Sequence, residues 1–205
     1  MDWEKAALLV VGAAVATLFG FLKEYLTSRK KNEHDLSFLV VTIACMLDQF
    51  VAECVEVCED DGSYLGQVGP EGRKRRAPDP KFDPTRANVN WDVLKPHLLN
   101  DVLSLPHLVH NATRKVLRVS EYSHPPDYEE EFETWHHSFA ILGLTAMRLA
   151  SVLREKAKIE RLNLDSKFNA REFLEHTRDT VEAQRKSRQK QMEKVMAAGV
   201  IASTD

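Results

Sequence analysis

The sequence predicts an all-α protein in which an N-terminal transmembrane helix feeds an antiparallel helical bundle of about four helices. Three observations carry that expectation. Residues 6–22, AALLVVGAAVATLFGFL, hold no charged side chain and no polar stripe, whereas a helix on a soluble surface keeps one face wet. Later segments repeat apolar residues every three or four positions, and no segment alternates with the period of two that a half-buried strand needs. Half of the eight glycines and half of the eight prolines crowd into residues 59–90, which marks one main linker between helical stretches.

The opening run comes first. At the helical rise residues 6–22 extend roughly 25 Å, or about 33 Å with Trp3 and Tyr25 as aromatic ends, against a hydrocarbon core of about 30 Å. A cleaved leader fits less well, because MDWEK places two acids where leaders are positive and the Ala14-Val15-Ala16 triplet sits in mid-run. Only Lys5 precedes the run, while Lys23, Arg29, Lys30 and Lys31 follow it. The positive-inside rule then puts the N-terminus outside and the body on the cytoplasmic side of an inner or plasma membrane. Residues 1–31 are thus read as an anchor with a basic flank.

Residues 32–58 carry Leu36, Leu39, Val40, Ile43, Leu47, Phe50, Val51, Cys54 and Cys58 at helical spacing, a first bundle helix expected to bend out of the anchor. A second membrane pass is unattractive, since the apolar stretch between Leu36 and Asp48 is too short to cross. Cys45, Cys54 and Cys58 are odd in number and crowded together, so they read as reduced thiols.

Residues 59–90 are expected to form a flexible linker, and Arg73, Lys74, Arg75 and Arg76 lie in it. Together with Lys23, Arg29, Lys30 and Lys31 they are candidate contacts to anionic headgroups of the bilayer, each contributing about 1 kcal/mol near the surface. A solvated loop is the plainer alternative.

Core helices are expected over 91–168. Asn90 can cap a turn at Trp91-Asp92-Val93-Leu94, and Pro96 suits a first helical turn. Leu98, Val102, Leu105, Val109, Ala112, Val116 and Val119 then form one stripe, with a kink expected at Pro106. Ser123-His124-Pro125-Pro126-Asp127 signals the next start, and Glu129, Glu130, Glu131 and Glu133 suit the positive end of a helix dipole. Its stripe, Phe132, Trp135, Phe139, Leu142, Ala146, Leu149 and Leu153, is the strongest core signal in the chain. Residues 169–205 are read as a charged last helix capped by Asn169, whose inward face fades beyond His176, so that its end projects into solvent or awaits a partner.

Candidate chemistry is sparse. A net charge of -3 and a pI near 6.3 argue against a strongly basic nucleic-acid binder. Cys54 and Cys58 share a helix face but two thiols do not close a zinc site, and the Glu-x-x-His fragment Glu133 to His136 occurs once where di-metal bundles use it twice. His107, His110, Glu172 and His176 could add ligands only if folding gathered them. No metal and no cofactor are expected. Arg171 and His176 resemble the Arg-x4-His signature of the HEPN ribonuclease bundles, a resemblance that implies a phosphate-handling pair at a dimer seam. The same spacing recurs from Arg29 to His34. No P-loop, nucleophile elbow or dinucleotide fingerprint is present.

More broadly, the apolar start with its basic flank, Asn90-Trp91-Asp92-Val93-Leu94-Lys95-Pro96, Leu103-Ser104-Leu105-Pro106, Pro125-Pro126-Asp127-Tyr128 and Leu142-Gly143-Leu144-Thr145-Ala146 resemble a set of uncharacterised bacterial membrane-anchored helical proteins. That resemblance implies an architecture and no activity. The expected function is a membrane-tethered cytoplasmic scaffold or partner-binding protein without catalysis, its partners being the bilayer, an unidentified protein and a further copy of the chain. An HEPN-like ribonuclease using Arg171 and His176 is the alternative.

Overall fold

The computed structural model describes residues 3–63, 67, 72–123, 128–160 and 168–202, with side chains over 20, 21, 23–63, 67, 72–123, 128–160 and 168–196. Within them the chain is all-helical: α1 spans Trp3–Glu59, α2 Pro96–Ser120, α3 Glu129–Ala157 and α4 Ala170–Ala202. Two single 3-10 turns, Pro84–Arg86 and Trp91–Val93, precede α2.

The anchor run and the first bundle helix are one element. The helix is unbroken where the two were expected to part, because no glycine or proline occurs between Gly20 and Gly62 and the basic flank consists of residues that tolerate a helix interior. Arg29 and Glu33 add an i,i+4 ion pair at 3.3 Å there. At 1.5 Å per residue α1 is about 85 Å long. The four helices therefore include the apolar start rather than following it.

α3 is the central helix, packing on α1, α2 and α4. As α1 advances from Asp48 through Cys54 to Cys58, its neighbours on α3 recede from Arg154 through Gly143 to His136. The same reversal holds for α4, where Leu174 meets Gly143 and Arg185 meets Thr134. All seven stripe residues expected on α3 are buried, and on α2 Leu98, Val102, Leu105, Val109 and Val116 are. α2 continues helically through Pro106.

Residues 72–90 do not hang as a loose tether. The Asp60 carboxylate accepts from the backbone N–H of Gly62, Arg76 and Ala77, and Glu53 accepts from the N–H of Lys81. Phe82 is buried edge-on against Phe50 at 5.9 Å, and Asn90 donates to Asp35 at 3.2 Å. The segment is a strap that retraces α1 from Asp60 to Asp35. The start signals at 124–127 and residues 161–167 lie outside the described residues, as do the side chains of 6–19. Asn169 caps α4 by accepting from the N–H of Glu172 at 3.4 Å.

Candidate functional site

The most chemically loaded region lies where the first turns of α3 meet α4 and the strap. Glu131 and Glu133, read from the sequence as acids suited to the positive end of a helix dipole, are both buried. Burying a carboxylate demands a partner, and each has one that the sequence did not reveal. Glu131 pairs with Arg75 at 2.9 Å. Arg75 in turn lies over the Trp135 ring at 5.4 Å and 3.6 Å from Asp79, which accepts from Trp135 Nε1 at 2.9 Å. Glu133 Oε2 pairs with Arg188, with Arg185 at 3.8 Å, and Arg185 also donates to Thr134 Oγ1 at 3.0 Å.

Glu133 Oε1 is buried without a hydrogen-bond partner among the described residues. Glu133 borders a cleft of about 720 Å³ between α2, α3 and α4 that Lys115, Glu129, Glu130, Arg188 and Met192 also line. Beyond this cleft α4 leaves the bundle: Met192, Val195 and Met196 are 62%, 72% and 67% exposed. The inward face of α4 lasts longer than its sequence suggested, since Leu174 and Val181 are buried and Arg185 and Arg188 carry it onward as ion pairs. An apolar-stripe search could not find that continuation, because the inward residues are arginines.

His136 stacks on Trp135 and its Nε2–H donates to the Asp60 carbonyl at 2.9 Å. Burial lowers its pKa, and burial also lowers that of His137, which faces Glu182 at 3.4 Å. Below the ordinary imidazole value of about 6.5 the unfolded chain takes up protons that the folded one resists, so stability falls as pH drops through that point. Urea midpoints are expected to be lower at pH 5.5 than at 7.5, with His136→Gln flattening the difference; a midpoint indifferent to pH in this window would contradict it.

The remaining candidates are dispersed. Arg171 and His176, five positions apart on α4, point about 140° from one another, and Arg171 turns to Glu175 at 3.9 Å. A single chain does not bring them together. Among the described residues no three of His, Cys, Asp and Glu are grouped to hold a metal ion. Glu133 is occupied by arginines, Cys58 lies 3.6 Å from the His136 carbonyl, and burial raises the pKa of Cys54 and of Cys58, the latter to about 12. Lys23, Arg29, Lys30 and Lys31 are exposed along α1. Arg73, Lys74 and Arg76 are exposed on the strap, whereas Arg75 is taken up by Glu131 and Asp79 rather than left for headgroups.

No family model, no curated protein and no solved structure matches this chain. A functional reading therefore stands on the residues and their geometry.

Proposed function

We propose that the chain is a single-pass membrane-tethered scaffold, N-terminus outside, whose antiparallel cytoplasmic bundle binds a protein partner through the end of α4 without catalysis. The observation that carries this is that α1 is long enough and, over residues 6–22, apolar enough to cross a membrane. Two stretches of α1 compete for that role. The apolar window within Lys23–Glu59 has 50% of its residues buried in the protein's own bundle, and a surface committed to the core cannot also face lipid tails. Residues 6–22 hold no charged side chain and no polar stripe, and they fit the bilayer thickness.

In this reading Lys23, Arg29, Lys30 and Lys31 meet the headgroups. The strap arginines sit at the level of Asp60, about 57 Å along α1 from Leu22, far beyond a Debye length of about 8 Å. With α1 upright they face the cytoplasm and whatever partner approaches there. The exposed methionines of α4, adaptable in shape, and the mixed-charge cleft beside them supply the contact surface.

Carbonate-washed membranes are expected to retain the full chain, and a chain lacking residues 1–22 is expected to be released; full-length protein in the supernatant overturns the anchor. Partner capture is tested by truncation after Gln189, which removes the projecting end and leaves the ion pairs of Arg185 and Arg188. Truncation after Phe168 is the wrong test, because it strips Leu174 and Val181 from the core and is expected to unfold the body. Unchanged partner recovery from detergent-solubilised membranes after the shorter truncation would remove α4 from the interface.

A further inference from the structure

α4 meets the bundle with one side, and the chemistry of that side changes along the helix. At about 100° per residue, Leu174, Val181, Arg185, Arg188, Met192 and Met196 fall within one sector of about 80°. Leu174 and Val181 are buried. Beyond Val181 no described residue of α4 is buried, and what ties it to α3 is polar. Glu182 faces His137 at 3.4 Å, and Arg185 reaches Thr134 at 3.0 Å and Glu133 at 3.8 Å. Arg188 pairs with Glu133 and lies 3.8 Å from Glu129. Met192 and Met196, in the same phase, are exposed.

Apolar burial and ion pairing hold a helix differently. Buried apolar surface is neither screened by salt nor replaced by water, whereas a part-exposed ion pair exchanges with hydrated ions at small net gain. Here the gain is smaller still. Glu133 is 6% exposed, yet both arginines go to its Oε2, and Oε1 is buried without a hydrogen-bond partner among the described residues. A buried acceptor without a donor weighs against the closed state, because release hydrates both oxygens. α2 gives no support on the other flank, where the cleft of about 720 Å³ lies between Lys115 and Val119 of α2 and Arg188 and Met192 of α4. Opposite charge draws the two pieces together. Residues 183–196 hold five cations against Glu193 alone, and the first turns of α3 hold Glu129, Glu130, Glu131 and Glu133, of which Glu131 is paired with Arg75.

We infer that the part of α4 beyond Val181 is a releasable arm, held against α3 by an electrostatic latch of Glu133 with Arg185 and Arg188. Segments with little buried apolar surface are those that open locally while the rest of a fold stays closed. Release adds Arg185, Arg188 and the α3 groups beneath them, Glu133 and Thr134, to the surface that the methionines offer. The latch goes beyond partner binding by the α4 end and needs no anchor, since it follows from the contacts between α3 and α4 alone.

Spin-label distances in the full-length chain, held in detergent micelles, test it. Labels at Arg118→Cys and Lys190→Cys, both exposed positions, in a Cys45→Ser background span α2 and the arm, and the buried Cys54 and Cys58 stay unlabelled. A second pair, Arg118→Cys with Thr180→Cys, reads the held half of α4. At low salt each pair is expected to give one narrow distance. Arg185→Gln combined with Arg188→Gln is expected to raise the share of longer 118–190 distances about tenfold. Glu133→Gln, and salt of about 1 M, which shortens the Debye length to about 3 Å, are expected to shift it in the same direction, while the 118–180 distance stays narrow throughout. A 118–190 distance that remains narrow in the double variant and in salt overturns the latch. So does a 118–180 distance that broadens alongside it, because α4 then leaves as a whole. A wild-type arm already broad at low salt and unchanged by either variant overturns it as well.

Discussion

Trp135→Ala is expected to cost roughly 3–5 kcal/mol of folding stability, the range for deleting a large buried aromatic. Trp135 is fully buried, with Phe132 edge-on at 5.9 Å on one side and Arg75 at 5.4 Å on the other. Its Nε1–H also holds Asp79 on the strap. Truncation thus removes core volume and one attachment of residues 72–90, and takes away the ring that Arg75 lies over as it pairs with Glu131. Trp135→Phe keeps much of the volume and loses the N–H, for which about 1–2 kcal/mol is expected. Urea unfolding orders the two variants, and limited proteolysis should cut first within the strap of the alanine variant. A loss below about 1 kcal/mol in the alanine variant, or a strap as resistant as wild type, would mean that the ring does not join strap to core.

Gly143→Val is expected to lower the melting temperature substantially, and Gly143→Ala to lower it less. A Cβ at Gly143 would lie 2.8 Å from Leu174 Cδ1 and 3.1 Å from Cys54 Cβ. This is where α3 is squeezed between α1 and α4. The end of Leu174 can rotate from a single methyl, but Cys54 Cβ is fixed to its backbone, so α1 must give by a few tenths of an ångström, a strain that the gain of up to about 1 kcal/mol in helix propensity offsets in part. Valine adds two further carbons where a Cβ alone is already tight against Cys54 and Leu174, and overpacking of that kind costs about 1–3 kcal/mol. At about 2–4 °C per kcal/mol for a chain of this size, a thermal melt resolves the pair. Equal melting temperatures for valine and alanine would place slack at this crossing.

The helices were legible because their signal is local. The stripe from Phe132 to Leu153 needs only a 3.6-residue period to be read, and every member is buried. The Asn169 cap is a relation over three residues and is found where its type suggested. Longer relations escaped. Residues 59–90 contain the glycine, proline and charge that mark a linker, but their composition says nothing of Asp60 collecting three backbone N–H groups or of Phe82 reaching Phe50. Arg75 looked like a surface cation until Glu131, 56 positions away, took it up.

By itself, the sequence determined that this chain is helical, where most helices lie, and that its first residues form an apolar run able to enter a bilayer, since each of these follows from the order of side chains along a few turns. Only the tertiary structure decided that the apolar run and the first bundle helix are one continuous helix, and that Glu131 and Glu133 are interior groups. Those outcomes depend on which distant residues can satisfy a buried charge or cover an apolar face, and that matching is a property of three-dimensional packing with no local trace in the chain.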